Sequence, residues 1–272
     1  MKYLSLITVL AMVIGFTTMA SAHEPVFSIG PETIYQGGLG VEAEFEFEKG
    51  NNERQFGMAY EIIYGITGRS AITLTVPHIL KKEENSLSSN GLGEIQIRGK
   101  YQLFRENSLG AQDKITAILG IKLPTGNRDK TPSLGTETTD FLFGMSYGHE
   151  SRLLYYFATL RYLLRTKKSG FEPGDRFLYD ASFGIRPWQR EYLEWDLVVL
   201  AEISGELGFK HKLNGQKVAN SGGNTIWFGP SALFSLRNIM FKGGIQFPIL
   251  QSLNGSQNED DLRTVFAIEY HF

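Results

Sequence analysis

Apolar and polar residues alternate with a period of two along most of the chain. The pattern is clearest in residues 41–48, VEAEFEFE, where every even position is a glutamate and every odd position is apolar. Successive side chains of a β-strand point to opposite faces, whereas a helix would spread these glutamates around its whole circumference. The pattern therefore predicts a β-strand with one acidic face and one apolar face.

Eleven more segments repeat this alternation. They lie at 55–64, 71–76, 94–103, 115–123, 140–148, 158–165, 177–186, 193–204, 226–236, 239–247 and 263–272. A tilted strand of roughly nine to eleven residues is long enough to cross a bilayer. We therefore predict an all-β fold over residues 39–272. It is expected to be a single antiparallel transmembrane β-barrel of about twelve strands, of the outer-membrane type.

The lengths of the connections favour a membrane barrel over a soluble β-sandwich, whose strands would also alternate. Short turns lie at 67–69, 149–152, 187–191 and 237–238, with a somewhat longer one at 105–113. Most of the intervening connections are long and polar, at 79–91, 125–139, 166–175, 205–224 and 250–261, whereas the first, at 49–54, is brief. Short turns on one side and long loops on the other are typical of the periplasmic and extracellular ends of such barrels.

Aromatic residues gather near the short turns. This group comprises Tyr64, Tyr101, Tyr147, Tyr156, Trp188, Tyr192, Trp195 and Tyr270. Aromatic girdles mark the membrane interfaces of outer-membrane barrels, whereas the core of a sandwich would distribute aromatic residues along its strands. The clustering therefore also indicates a membrane barrel.

The chain ends in Phe272, and Phe266, Ile268 and Tyr270 occupy the alternate positions before it. This ending is similar to the C-terminal signal by which outer-membrane barrels are recognised for assembly. We therefore predict that the last strand carries an assembly signal. The expected partners are the barrel-assembly machinery and outer-membrane lipid.

The first residues predict export. Lys2 precedes an apolar run at 4–16, and the sequence then reaches Ala-Ser-Ala at 20–22. A charged start, a short apolar stretch and an A-x-A ending are typical of a signal peptide, here residues 1–22, which predicts localisation to the outer membrane of a Gram-negative cell. Residues 23–38 lack clear alternation, and two placements are open for them: the periplasm, or the barrel interior as a small plug.

Composition narrows the chemistry. The chain has no cysteine, which excludes disulfides and thiolate metal sites. Its formal net charge of −2 differs from the strongly basic balance of nucleic-acid-binding proteins. No metal-ligand pattern, cofactor motif or catalytic set is evident in the sequence. We therefore expect no metal, no cofactor, no nucleic acid and no enzymatic activity.

Charged residues on the polar strand faces form the candidate site, because membrane barrels place polar residues inside. Closure of the last strand on the first predicts an acidic wall of Glu42, Glu44, Glu46, Glu48, Glu61 and Glu269. The opposite side is predicted to be a basic wall of Arg98, Lys100, Lys122, Arg161, Arg165 and Arg186. All of these except Glu48 and Glu269 are candidates for pore lining. The charges either line a passage and orient polar solutes, or pair across a closed lumen.

Three stretches carry a family resemblance: GLGEIQIRGKY at 91–101, GIKLPTG at 120–126 and LGT at 134–136. They resemble the outer-membrane proteins named for the meta-pathway of phenol degradation, which are often labelled as transporters. The resemblance implies a transporter-like outer-membrane barrel and gives no residue a role. Small organic or aromatic solutes are suggested by that resemblance only.

The sequence therefore predicts a channel for passive diffusion of small solutes. One alternative is a closed barrel that is structural or binds partners through its loops, of which 205–224 is long enough to do so. A less favoured alternative is a lipid hydrolase, which needs a neighbouring His and Ser. The close pair His149 and Ser151 lies in a predicted periplasmic turn, where such a site is not expected.

Overall fold

The computed structural model describes residues 24–189 and 194–272. The predicted signal peptide and Tyr192 lie outside the described residues. The strands are β1 (Leu39–Gly50), β2 (Glu53–Thr67), β3 (Ser70–Glu84), β4 (Leu87–Leu92), β5 (Gln96–Ser108), β6 (Ala111–Lys122), β7 (Asp140–Ser151), β8 (Leu154–Arg165), β9 (Phe171–Glu172), β10 (Arg176–Ile185), β11 (Asp196–Gly208), β12 (Lys212–Leu213), β13 (Gln216–Lys217), β14 (Gly223–Leu236), β15 (Ile239–Leu253) and β16 (Asp260–His271). Within the described ranges, no helix is long and apolar enough to cross a membrane.

Thirteen of these strands form one antiparallel sheet that closes on itself. β1 pairs with both β2 and β16, and β2 also pairs with β3. β4 and β5 pair with successive parts of β3, so together they occupy one strand position that is interrupted at residues 93–95. The barrel therefore has twelve strand positions, which confirms the predicted fold class.

The alternation places apolar side chains outside the barrel and mostly polar ones inside it. On β3, the outward Ile72 and Leu74 are 40% and 37% exposed, whereas the inward Thr73 and Thr75 are 4% and 7% exposed. Closed strand pairing satisfies the backbone polar groups, and the outer surface can contact hydrocarbon. The same side-chain pattern that identified the strands therefore fits them to a bilayer.

Two predicted connections are wrong in their extent. Residues 79–91, predicted to be a loop, instead extend β3 and β4 as a hairpin with Asn85 and Ser86 at its turn. Both turn residues have positive φ, 47° and 72°, as a tight hairpin turn requires. The connection predicted at 105–113 is reduced to residues 109–110 by the length of β5 and β6. Where these strands extend beyond the bilayer, their polar residues no longer alternate with apolar ones. The two-residue periodicity therefore did not detect these strand ends.

The connections gather at two ends of the barrel. The short-turn end contains the connections 68–69, 109–110, 152–153 and 237–238, as well as the end of β10 at Ile185 and the start of β11 at Asp196. The long-loop end contains the connections 123–139, 166–175, 209–222 and 254–259, as well as the hairpin turn at 85–86. This distribution follows the predicted division into short and long connections, with the hairpin as the main difference.

A small sheet of β9, β12 and β13 joins two of the long loops. His211 immediately precedes β12, and its Nδ1 accepts a hydrogen bond of 2.8 Å from the Gly174 backbone N–H. Burial lowers the pKa of His211, and the nearby charges of Arg165 and Arg176 lower it further. His211 is therefore neutral at neutral pH, in the form that can accept this bond.

Aromatic side chains cluster at the short-turn end, as predicted. Trp188 contacts Trp195 with ring centroids 5.9 Å apart, and Tyr147 contacts Tyr156 at 6.1 Å. Trp188 is 53% exposed, so a large part of its ring faces the surroundings of the barrel. Such rings are suited to the interface between lipid and water.

The final strand closes the barrel. Phe266 and Ile268 of β16 are 46% and 39% exposed and face outward. After the strand, the Phe272 N–H donates to the Leu39 carbonyl oxygen at 2.9 Å, and the Tyr270 and Phe272 rings contact each other at 4.8 Å. This arrangement presents the predicted assembly signal on the outer surface, and its recognition stays a prediction.

Candidate functional site in the barrel interior

Residues 24–38 are named here the N-terminal segment, and residues 24–34 of it lie inside the barrel. The backbone N–H groups of Val26 and Phe27 donate to the two carboxylate oxygens of Glu202 at 2.9 and 3.2 Å. Glu202 is on an inward face of β11, is 1% exposed and also accepts a bond from Ser231. These bonds hold the start of the segment against the inward face of β11.

Two strands hold the middle of the N-terminal segment through hydroxyl groups. Thr159 Oγ1 on β8 donates to the Ile29 carbonyl oxygen at 2.9 Å. Thr116 Oγ1 on β6 donates to the Pro31 carbonyl oxygen at 2.6 Å. The segment has no regular secondary structure of its own, so these barrel side chains satisfy backbone groups that would otherwise be buried without partners.

Two lysines pair with the glutamates of the segment. Lys100 Nζ on β5 is ion-paired with Glu24 and also donates to the Glu32 carbonyl oxygen at 3.2 Å. Lys114 Nζ on β6 is ion-paired with the Glu32 carboxylate, and both side chains are less than 10% exposed. Removing one partner of a buried ion pair typically costs about 3–5 kcal/mol. These pairs therefore anchor the segment to the wall of β5 and β6.

The segment leaves the interior at the short-turn end. The Gly37 N–H donates to the Gly65 carbonyl oxygen at 2.8 Å, and the Gly65 N–H donates to the Gly38 carbonyl oxygen at 3.0 Å. A side chain at position 65 would collide with the Tyr35 carbonyl group, so only glycine permits this approach. The Tyr35 hydroxyl also donates to the Phe272 carbonyl oxygen. Both ends of the segment are therefore fixed to the barrel.

Apolar side chains fill part of the interior beneath the segment. The cluster comprises Tyr155, Phe157, Val198, Leu200 and Leu233, each no more than 3% exposed. Val26 of the segment packs against this cluster. The alternation of the sequence places these residues on inward faces. The sequence analysis predicted a lumen lined by charged residues, so it did not anticipate this apolar core. One side of the lumen is thus packed shut.

On the other side, a cavity of about 610 Å³ runs between the segment and the barrel wall. Its apolar lining comes largely from the segment, which contributes Val26, Phe27, Ile29 and Ile34. The segment also contributes two charged side chains to the lining, Glu24 and Glu32. The charged side chains from the barrel are Glu42, Glu44, Glu46, Glu61, Arg98, Lys100, Arg105, Lys114, Glu150, Arg161, Lys242, Arg263 and Glu269. The cavity therefore has one strongly charged side and one partly apolar side.

The candidate pore-lining residues all lie on inward faces, but they divide into two groups. The cavity is lined by Glu42, Glu44, Glu46, Glu61, Arg98, Lys100 and Arg161. The remaining candidates are Lys122, Arg165 and Arg186, and they lie outside its lining. Lys122 and Arg165 both pair with Asp140, at 2.7 and 3.3 Å, and Arg186 pairs with Asp196 at 2.8 Å. The structure therefore brings the first group together and separates it from the second.

The picture of one acidic wall facing one basic wall is not what the structure shows. Lys242 on β15 is ion-paired with Glu42 and lies 3.1 Å from Glu269, within the acidic wall. On the same wall, Arg98 of β5 pairs with Glu61 of β2 at 3.2 Å, with only β3 between the two strands. Because most charges are neutralised by near neighbours, the field across the passage is weaker than two uniform walls would produce.

Two carboxylates differ from this pattern. Among the described residues, Glu44 and Glu46 have no ion-pair partner within 4 Å, although both line the cavity. Glu44 is within electrostatic range of Lys242 and Arg98, and Glu46 is within range of Arg263. These two carboxyl groups are therefore available to a solute in the cavity.

Arg263 was not among the candidates, yet it occupies a central position. Its guanidinium donates to Gln246 Oε1 at 2.9 and 2.6 Å and lies 4.3 Å from the Trp227 ring centroid and 5.3 Å from that of Phe27. Alternation had placed this residue on an inward face. Its contact with Phe27 could not be predicted, because it depends on where the N-terminal segment lies.

Neither a metal site nor a hydrolase site is supported by the described residues. Within 24–189 and 194–272, no group of three or more His, Cys, Asp or Glu side chains is placed to hold a metal ion. The Ser151 hydroxyl donates to the Leu154 carbonyl oxygen and accepts from the Leu154 N–H, both at 2.9 Å. Its bonds are those of a turn, and they give no support to the lipid-hydrolase alternative.

Comparison with known proteins places this barrel in a family. The model of the family described as "MetA-pathway of phenol degradation" matches residues 22–249. The chain belongs to this family. This confirms the resemblance carried by residues 91–136. No match to the sequence was found among curated proteins.

Two solved structures are similar to this barrel. The COG4313 outer membrane channel from Pseudomonas putida F1 has a TM-score of 0.76 at 12% identity, over 92% of this chain and 100% of that chain. The NanC porin has a TM-score of 0.52 at 8% identity, over 85% of this chain and 98% of that chain. At these identities the likeness shows the fold, which is that of an outer-membrane β-barrel.

Proposed function

We propose that the protein is an outer-membrane channel through which small solutes diffuse passively along the N-terminal segment. The observation that carries the proposal is the charged cavity of about 610 Å³ between the segment and the wall of β1, β2, β5 and β16. Its lining includes Gly68 and Arg105 at the short-turn end and continues to Glu46 and Arg263 within the barrel. A space of this kind suits a narrow passage rather than a wide pore.

The orientation in the membrane follows from the connections. The short-turn end faces the periplasm and the long-loop end faces the exterior, as in other outer-membrane barrels. Export by residues 1–22 and recognition of β16 by the assembly machinery complete the proposed route to the membrane. The segment then reaches the lumen from the periplasmic side, where Gly37 and Gly38 pair with Gly65.

The lining also indicates a class of solute. One side of the cavity is charged, whereas Val26, Phe27, Ile29 and Ile34 give the other side apolar character. Small polar organic molecules would match both sides better than bulky or fully apolar ones. The lining contains eight carboxylates and seven lysine and arginine side chains, so a weak preference for cations is expected.

Single-channel recording tests the proposal. The purified, refolded protein is placed in a planar bilayer, and the current and the reversal potential in a salt gradient are measured. Small stepwise conductance with a weak cation preference is expected. A barrel that is folded by its heat-modifiable mobility on gels but never conducts would instead favour the closed barrel, with binding through its loops.

Neutralising Arg161 should make the channel more cation-selective than the natural protein. Arg161 lines the cavity and pairs with Asp180 at 2.7 Å, so Arg161→Gln frees a carboxylate beside the passage. The matched control is Arg165→Gln, four residues away on β8, whose guanidinium is bound to Asp140 outside the cavity lining. Reversal potentials in a salt gradient should shift for Arg161→Gln and change little for the control. Equal shifts would contradict the proposed path.

A further inference from the structure

A polar row crosses the outer surface of four strands near the short-turn end. The row comprises Glu106, Asp113, His149 and Tyr156, which are successive cross-strand partners on β5, β6, β7 and β8. Asp113 faces outward, because its neighbour Lys114 points inward to Glu32. Asp113 is also the third residue of β6, which begins at Ala111. The row therefore lies at the level where lipid headgroups meet the aromatic girdle.

The part of the row on β6, β7 and β8 is held by direct contacts between its side chains. Asp113 Oδ1 accepts a hydrogen bond of 2.7 Å from the Tyr147 hydroxyl and lies 2.9 Å from His149 Nδ1. The His149 ring stacks on Tyr156, with centroids 4.5 Å apart and an angle of 8° between the planes. Both contacts to Asp113 use Oδ1, and the side chain is 30% exposed. A fixed carboxylate beside two aromatic faces is thus presented to the membrane.

The part of the row on β5 and β6 places two carboxylates opposite each other. Glu106 is exposed and is the direct cross-strand partner of Asp113. Like charges in this arrangement are destabilising. Within the described ranges, no lysine or arginine lies within ion-pair distance of either carboxylate. The two carboxylates are therefore able to accept from a cation outside the protein, on the surface of the barrel that faces lipid.

A positive side chain is available on the aqueous side of the row. Arg152 lies in the turn after β7, and its N–H donates to the Gly110 carbonyl oxygen at 3.1 Å. A Cβ atom added at Gly110 would be 3.0 Å from Arg152 Nε, so the guanidinium lies over the turn between β5 and β6. This turn leads directly into Asp113. Carboxylates, aromatic faces and one arginine are thus arranged side by side.

We propose that this row binds the headgroup of phosphatidylethanolamine from the periplasmic leaflet. The primary ammonium group donates to the carboxylates of Glu106 and Asp113, beside the rings of Tyr147 and Tyr156. The phosphate group pairs with Arg152. A bare divalent cation fits less well, because these side chains are not placed as a metal-binding group among the described residues.

Lipid binding to the refolded, detergent-solubilised protein tests this assignment, with native mass spectrometry as the readout. The probes are phosphatidylethanolamine and phosphatidylcholine with the same acyl chains, which share the phosphate but differ in ammonium N–H groups. The natural protein should prefer phosphatidylethanolamine by roughly tenfold in affinity. Equal affinities would overturn the proposal, and so would loss of the preference when Mg²⁺ is added.

Three variants locate the site. The double variant Glu106→Gln/Asp113→Asn should lose the preference between the two lipids, whereas Arg152→Gln should weaken the binding of both. The control is Glu83→Gln, at an exposed carboxylate in the hairpin of the long-loop end that pairs with Lys81. A preference that survives in the double variant would overturn the proposal. Heat-modifiable mobility on gels verifies that each variant is folded before its lipid binding is compared.

Discussion

Deletion of residues 25–34 should raise the single-channel conductance several-fold. This part of the N-terminal segment occupies the lumen at the level of Glu202, where Val26 and Phe27 are bound, and covers one side of the passage. Its removal would leave the wall of β6, β8 and β11 open to water. The barrel itself is held by strand pairing that does not involve these residues, so the deletion variant should still fold. The measurement is conductance in planar bilayers at a fixed salt concentration.

A cross-link supplies the matched control for this deletion. A Cβ atom added at Gly148 would lie 2.6 Å from Pro31 Cγ, so cysteines at both positions are close enough for a disulfide. The natural chain has no cysteine, so Pro31→Cys/Gly148→Cys would form one defined link. The oxidised variant should conduct no more than the natural protein. Unchanged conductance in the deletion variant, with the barrel folded, would show that the segment does not limit the passage.

The strands of the barrel were predictable because their signal is local. Side chains of one strand need only alternate between lipid and lumen, and residues 41–48 show this with no reference to the rest of the chain. The hairpin at 79–91 was not predictable in this way, because its polar residues carry no alternation. One of its faces packs on the 123–139 connection, where the Ser89 hydroxyl donates to the Pro132 carbonyl oxygen at 2.6 Å. Periodicity thus detects the part of a strand that crosses the membrane and not the part that extends beyond it.

The placement of the N-terminal segment could not be read from the sequence, because every contact that fixes it is long-range. Val26 binds a carboxylate 176 positions further along the chain, and Lys100 lies 76 positions from Glu24. The segment has neither alternation nor helical periodicity, so it contains no local evidence of its partners. Its two glutamates and the inward lysines were visible separately, but nothing in the sequence connected them.

The local neutralisation of the lumen charges was partly within reach of the sequence. Alternation puts Lys242 on an inward face, and closure makes β15, β16 and β1 neighbours. The sequence does not give the register between these strands, in which Lys242 pairs with Ala267 and Glu42 pairs with Glu269. That register places the lysine beside both glutamates. A one-residue difference would have turned the same side chain toward lipid.

Reversing the charges of Glu44 and Glu46 should convert the weak cation preference into an anion preference. Both residues line the cavity, and among the described residues neither has an ion-pair partner. Glu44→Lys/Glu46→Lys replaces two carboxyl groups by two ammonium groups, which changes the formal net charge of the lining residues from −1 to +3. Because the passage is narrow and enclosed by material of low dielectric constant, a change of this size should dominate ion selectivity.

The reversal potential in a salt gradient measures this change in ion selectivity. Two further variants serve as controls. Glu44→Gln/Glu46→Gln removes charge without placing a lysine near Arg263, and should shift the potential in the same direction by a smaller amount. Glu83→Lys, in the exposed hairpin outside the cavity, should leave it unchanged. An unaltered potential in both double variants, with normal conductance, would mean that ions bypass this carboxylate pair. The passage would then have to be sought on another side of the segment, away from β1.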